Sequence, residues 1–347
     1  MRDLKYLIAY LLPGTALLAL AWQGLWAWST VVLSFGILPL LELWAPQSTQ
    51  NTAPELEADR AKRRFFDVLL YLNFPLLFLI IAAYLYTLQY WVLPFSEWLG
   101  LTLSTGIVVG AIGINVAHEL GHRPSKFEQT LSKWMLLPAL YQHFFIEHNR
   151  GHHKNVATDL DPASARLGEP VFSFWLRSIG GSWRNAWRLE RERLQQAGKS
   201  VWSLHNEMLR FQLWQAGWLG AIYFFLGAKA LTGAMLIALI GVLLLETINY
   251  IEHYGLRRRM LPSGRPEPVS PAHSWNSNHE LGRIFLFELT RHSDHHYKAT
   301  RPYQVLRHLD ESPQLPFGYP TSLLLALVPP LWFRLMDKRI IFETRKK

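Results

Sequence analysis

There is no cysteine in these 347 residues. That absence removes disulfides, zinc–thiolate sites and cysteine-held iron–sulfur clusters together, so a redox metal held by this chain rests on nitrogen and oxygen ligands. Charge is scarce as well, at 18% of residues, and acidic groups are outnumbered 26 to 35 by Lys and Arg. Internal repeats and low-complexity tracts are missing, which excludes a solenoid or a disordered linker. No small-residue cleavage site follows the first apolar block, so that block reads as a transmembrane helix and not as a signal peptide. What the chain has in abundance is apolar side chain: 50% of residues are hydrophobic and 15 are tryptophan, gathered into long unbroken blocks. Blocks of that length indicate an all-α integral membrane protein.

Six stretches, near 5–23, 25–45, 65–91, 96–118, 211–229 and 231–252, approach or exceed the ~20 apolar residues that cross a ~30 Å hydrocarbon core. Turn and charge signals separate them, at Gln23-Gly24, along Gln47 to Arg64, and at Trp91 to Trp98. Threading six spans alternately places the N-terminus, the Arg60-Ala61-Lys62-Arg63-Arg64 loop, residues 119–210 and residues 254–347 on one side, and only Lys229 on the other. Loops rich in Lys and Arg stay cytoplasmic, so the expected architecture is a six-helix transmembrane bundle with a cytoplasmic cap, in one domain over 1–347. The formal net charge of +9 then belongs to a basic surface facing anionic lipid, with no need of a nucleic acid. A late apolar run, Leu323 to Phe333, contains Pro329-Pro330 and is short, so it reads as a surface or re-entrant helix.

Histidine is the residue this pattern does not explain. His118 and His122 sit four apart at the end of the fourth span, where a helix places both rings on one face. His148 and His152 repeat that spacing, with His153 adjacent and pointing elsewhere; His253 closes the sixth span; His292, His295 and His296 form the last cluster. A catalytic zinc takes three protein ligands and a structural zinc four, whereas two ions of four to five ligands would use all nine. The count indicates a dinuclear site in the cap. Alone, His118-Glu119-Leu120-Gly121-His122 also matches the HExxH pattern of zinc peptidases with Glu119 as base, but that reading leaves most of the histidines unexplained. The surroundings are oily, with Ala111, Ile112 and Ile114 before His118 and Leu243 to Leu245 before His253. An apolar substrate arriving from the bilayer fits such a site, and attack on it needs an oxidant made from dioxygen at a redox metal.

The run Glu147-His148-Asn149-Arg150-Gly151-His152-His153, the string Asn249-Tyr250-Ile251-Glu252-His253-Tyr254-Gly255, and Ser274-Trp275-Asn276-Ser277-Asn278-His279 followed by Arg291-His292-Ser293-Asp294-His295-His296 together resemble the membrane alkane 1-monooxygenases, nearly end to end. The resemblance implies a di-iron omega-hydroxylase that inserts one oxygen atom of O2 into the terminal methyl of an n-alkane. It also implies His118, His122, His148, His152, His153, His253, His292, His295 and His296 as iron ligands, electrons from rubredoxin with its reductase and NAD(P)H upstream, and a place in the bacterial inner membrane. The chain has Arg123 where the family has Lys, and Tyr297-Lys298 after the last doublet. It carries no rubredoxin-like cysteine segment, so a separate donor is expected. A fatty-acyl desaturase or hydroxylase shares such histidine boxes and is the nearest alternative.

Metal-bound histidines usually pass their second ring nitrogen to a carboxylate or carbonyl. Glu119, Glu147, Glu252, Asp159, Asp161 and Asp294 are the candidates here. A hydrocarbon coming from lipid gains little by burial, so discrimination by chain length must come from the shape of the pocket. Ser34 on the second span, with Ile112 and Ile114 on the fourth, are the expected lining residues, and a small residue at 34 would lengthen the pocket.

Overall fold

A computed structural model describes residues 2–345, so Met1 and the last two residues of the segment 254–347 lie outside it. Its long regular elements are helices, with no named strand among the described residues. Five helices are long and apolar enough to cross a membrane: Asp3–Trp22, Gly24–Glu42, Arg64–Tyr90, Phe95–Gly121 and Glu207–His253. Their ends fall within a few residues of the sequence expectation, because an apolar block is a local property. The first two are separated at Gln23 and Gly24, both in the left-handed region with φ of 51° and 52°.

The expected division at 229–231 is corrected. Glu207–His253 runs for 47 residues without a loop, and its one break is at Gly227, where φ is 79° and ψ is −176°. Such a backbone state lies outside the helical region and is open mainly to glycine. At 1.5 Å per residue either arm of this helix is long enough to cross a ~30 Å core, whereas the whole is about twice what one crossing needs.

The chain divides into two compact units. The first takes the residues through Ile37, Arg63–Ile146 and Ala186–Leu245. Small residues bring its helices together: a Cβ on Gly106 would run into Ile240, one on Gly241 into Val109, and one on Gly233 into Leu88. Polar side chains join them where the chain is otherwise apolar. Ser29 Oγ donates to the Thr15 carbonyl at 2.7 Å, Ser104 Oγ donates to that of Ala27 at 2.8 Å, and the Tyr84 and Thr102 hydroxyls meet at 2.8 Å. In an apolar medium these groups have no water to fall back on, which is why small and hydroxylated residues serve as contacts.

The second unit takes Leu38–Lys62, Glu147–Asn185 and the chain from Glu246 onward. Its helices are shorter, and much of its frame is loop, tied by buried polar side chains. Arg291 donates to the carbonyls of Leu306 and Gln50, Arg283 pairs with Glu288 at 2.7 Å, and Asp294 receives Arg301 at 2.5 Å and the Arg307 amide at 2.8 Å. Fully buried Trp275 donates from its amide to the Glu252 carbonyl and from its indole to that of Tyr254. The late apolar run resolves into Tyr319–Ala326 and Pro329–Arg345, and neither is a membrane-crossing candidate.

Candidate metal centre

The histidine-rich segment Glu147-His148-Asn149-Arg150-Gly151-His152-His153 leaves an α-helix, His143–Glu147, and widens into a π-helical turn over His148–His152. A π turn pairs residues five apart, where an α turn pairs those four apart. His148 therefore meets His153, with their Nε2 atoms 3.0 Å apart, and His152 is sent elsewhere. This corrects the i, i+4 pairing of His148 with His152 expected from spacing. The last cluster keeps ordinary α geometry over His292–Tyr297, so His292 and His296 share a face with their Nε2 atoms 2.9 Å apart. His295 turns to His153, at 3.1 Å.

Within the second unit, seven histidines thus form two convergences. His152, His253, His292 and His296 make a quartet, all buried, whose ligand nitrogens lie within 4.8 Å of one another. His148, His153 and His295 make a trio that meets the same limit. The two adjoin: the rings of His153 and His296 are centred 4.4 Å apart. His118 and His122 lie in the first unit at the end of Phe95–Gly121, with ring centres 5.0 Å apart and planes at 85°.

Carboxylates fix how some of these rings point. Asp161 Oδ2 lies 2.9 Å from His152 Nδ1 and also receives Ser164 Oγ at 2.6 Å, while Oδ1 receives the Ala163 amide at 3.1 Å. Since a carboxylate only accepts, His152 carries a proton on Nδ1, and in the neutral ring Nε2 is the lone pair that faces the quartet. Burial alone would raise the Asp161 carboxyl, but the His152 ring and the Ser164 hydroxyl outweigh it and hold it below its ordinary value. Burial likewise presses His152 down, and the Asp161 charge more than offsets it, making a more basic ring. His296 is pushed well below the usual histidine range, by burial and by the neighbouring imidazoles, so it is neutral. Glu252 brings Oε2 to 3.2 Å from His292 Nε2 and accepts the Tyr319 hydroxyl on Oε1 at 2.8 Å.

The other expected carboxylate partners are engaged differently. Glu147 accepts from Asn185 Nδ2 at 2.9 Å and is pushed up to about 7 by burial and the Asp161 charge. Asp294 holds Arg301, and exposed Asp159 lies 3.8 Å from Arg257. Glu119 is held by Arg123 at 2.9 Å, which occupies the carboxylate a zinc-peptidase reading needs as its base. Tyr319 and Ser164 were invisible as site residues, Tyr319 because it lies 67 positions from the Glu252 it holds. The remaining histidines have other surroundings. His279 Nε2 is 3.2 Å from Gln47 Nε2, His273 bonds Ser270 and Glu267, His308 lies 3.3 Å from Asp310, and His205 is exposed. Burial pushes His143 down to about 3, so this ring is neutral. Ser34, Ile112 and Ile114 are all buried, in two π-helical turns, Leu33–Ile37 and Val109–Ile114, and the Ser34 hydroxyl makes no hydrogen bond.

A neutral imidazole has one N–H and one lone pair. In the quartet, Nε2 faces Nε2 at three contacts of 2.9–3.2 Å, and where His152 has its proton drawn to Nδ1 the facing atom is a bare lone pair. Lone pairs gathered in a buried pocket repel unless a cation sits among them, so the donor chemistry fits a nitrogen-loving transition metal. The chain is 41% identical to alkane 1-monooxygenase 1 of Alcanivorax borkumensis, over 97% of its own length and 84% of that protein's. It belongs to the alkane 1-monooxygenase family. A second member, the alkane 1-monooxygenase of Pseudomonas putida, is 42% identical over 88% of this chain and 76% of its own. The family's kinship reaches further: the fatty acid desaturase family model matches residues 96–323. The xylene/toluene monooxygenase hydroxylase component XylM of Pseudomonas putida is 29% identical over 97% of this chain and 89% of its own.

Proposed function

We propose that this enzyme hydroxylates the terminal methyl of medium- to long-chain n-alkanes to primary alcohols, consuming O2, two electrons and two protons and releasing water. The observation that carries the reading is the pair of adjoining all-imidazole convergences, in a chain whose relatives are alkane monooxygenases. Two iron ions would supply the activation of dioxygen that an unactivated C–H bond requires. His152, His253, His292 and His296 would hold one. His148, His153 and His295 would begin the shell of the other, and His118 and His122 are assigned to it by ligand count and family resemblance.

The chain's own groups do the rest. Asp161 accepts the Nδ1–H of His152 and so makes Nε2 its ligating atom, and burial keeps His296 neutral, so that His296 need lose no proton to ligate. Tyr319 fixes the Glu252 carboxylate beside His292. The burial of all four quartet rings excludes bulk water, which protects a reactive oxidant from side reactions. Six crossings, counting the arms on either side of Gly227 separately, would put the histidine-bearing segments on the cytoplasmic side of the inner membrane. The two units would act as one oxygenase domain. There rubredoxin, reduced by its reductase and NAD(P)H, would reach the irons from outside.

Aerobic turnover of n-octane and n-dodecane with rubredoxin, its reductase and NADH, alongside metal analysis, tests this. The expected result is 1-octanol and 1-dodecanol with two irons per chain. One zinc per chain with oxygen-independent activity, or an unsaturated product in place of the alcohol, would overturn it.

Ser34 is proposed to limit chain length. Ser34→Trp should lower the yield from n-dodecane relative to n-octane by roughly tenfold, the equivalent of about 1.4 kcal/mol of lost transition-state binding. Equal retention of both substrates removes Ser34 from that role.

A further inference from the structure

The helix Val171–Gln196 carries an outward apolar stripe that the metal centre does not use. Positions 172, 176, 179, 183 and 187 recur at the three- and four-residue intervals that place side chains on one helical face, and they are Phe, Leu, Ile, Trp and Trp. Leu176 is 81% exposed, Phe172 48% and Trp183 44%, a large apolar commitment for a face turned to water. Exposed Arg184, Arg188 and Arg191 line one flank.

Two contacts fix the level at which this helix lies. The same periodicity carries the stripe on to Glu190, whose Oε1 accepts the amide of Glu207, the first residue of the membrane-crossing helix Glu207–His253. Arg193 donates to the His205 carbonyl at 2.7 Å just before it. The C-terminal part of Val171–Gln196 is therefore tied to the place where the chain turns into the membrane, on the face that bears the apolar stripe.

We propose that Val171–Gln196 lies in the plane of the bilayer surface, with Phe172, Leu176, Ile179 and Trp183 in the acyl region and Arg184, Arg188 and Arg191 at anionic lipid phosphates. An interfacial helix of this kind buries its apolar side about 5–10 Å into the headgroup–acyl boundary, and arginines beside it add electrostatic attraction. The proposal rests on the membrane reading and is independent of which reaction the irons perform.

The lack of cysteine gives a clean background for site-directed spin labelling. Leu176→Cys and Trp183→Cys would be compared with Ser173→Cys and Arg191→Cys in the full chain, in vesicles of phosphatidylcholine and phosphatidylglycerol. Labels at 176 and 183 should collide several-fold more with oxygen, relative to a water-soluble nickel chelate, than labels at 173 and 191. Lowering the phosphatidylglycerol fraction should shrink that contrast. Equal accessibility to the nickel chelate at all four positions would overturn the proposal. So would labels at 176 and 183 that are shielded from both quenchers and coupled to each other between chains, because a second copy and not lipid would then cover the face.

Discussion

His253→Ala is expected to abolish alkane turnover and to halve the iron content. His253 is fully buried at the end of the last membrane-crossing helix, its Nε2 3.2 Å from that of His292 and its Nδ1 3.5 Å from Ser274 Oγ. Of the quartet it alone comes from outside the two histidine clusters, and no second histidine stands beside it in sequence. Removing partners that only orient a ligand typically costs roughly 10–100-fold in affinity or activity. Removing a ring that would touch the ion should cost more, on the order of a thousandfold in turnover, comparable to deleting a principal transition-state contact. The iron count should fall from two to one per chain. The same exchange at exposed His205 should leave both quantities unchanged. If His253→Ala retains two irons, the quartet is not one ion's shell.

Asp161→Asn is expected to loosen the quartet's ion without removing a ligand. The Asp161 carboxylate receives His152 Nδ1, the Ser164 hydroxyl and the Ala163 amide, so every hydrogen bond it makes is one it accepts. An amide has only one oxygen to offer. If that oxygen stays with His152 and Ser164, the new NH2 group faces the Ala163 N–H, and a buried unmade hydrogen bond costs about 1–3 kcal/mol. Turned the other way, it presents a donor to His152 Nδ1 and invites the opposite tautomer, with the proton on Nε2. Either arrangement lowers the basicity of the ring. Iron affinity measured by competition with a chelator should drop roughly 10–100-fold for one of the two ions, with the other retained. Asp159→Asn, at an exposed carboxylate two residues away, provides the control and should leave affinity within twofold. An unchanged affinity in Asp161→Asn would mean that the His152–Asp161 contact is structural only.

The parts of this fold that could be read from sequence are those set by local composition. The ends of four of the long helices lie close to the edges of their apolar blocks, since hydropathy acts residue by residue. The Gly227 break was misplaced by a few residues because the polar mark, Lys229, lies two positions past it, and the break itself is one glycine's backbone state inside an apolar run. The nine histidines stood out as a pattern, and seven of them meet in one unit. Which ring meets which was not legible, since it depends on whether a turn pairs residues four or five apart, and the sequence Glu147 to His153 carries no mark of the wider turn. Carboxylate roles were the least legible. Asp161 and Asp294 both sit within nine residues of a histidine they could serve, yet one bonds imidazole and the other guanidinium. The choice is made by Arg301 and Ser164, that is, by tertiary neighbours.

The wide turn at His148–His152 makes this centre depend on backbone pairing in a way that ordinary substitution would not reveal. A turn of this kind accommodates one residue more than an α-helix does between the same two contacts, so adjacent rings, His152 and His153, are dealt to different clusters. Exchanging Asn149 or Arg150 for residues of similar size leaves that allotment alone. Tightening the turn to α-helical pairing with both residues kept would rotate the doublet, so that His152 would arrive opposite His148 in place of His153. The two clusters are thus kept distinct by a reading frame of backbone hydrogen bonds as much as by the identity of the side chains.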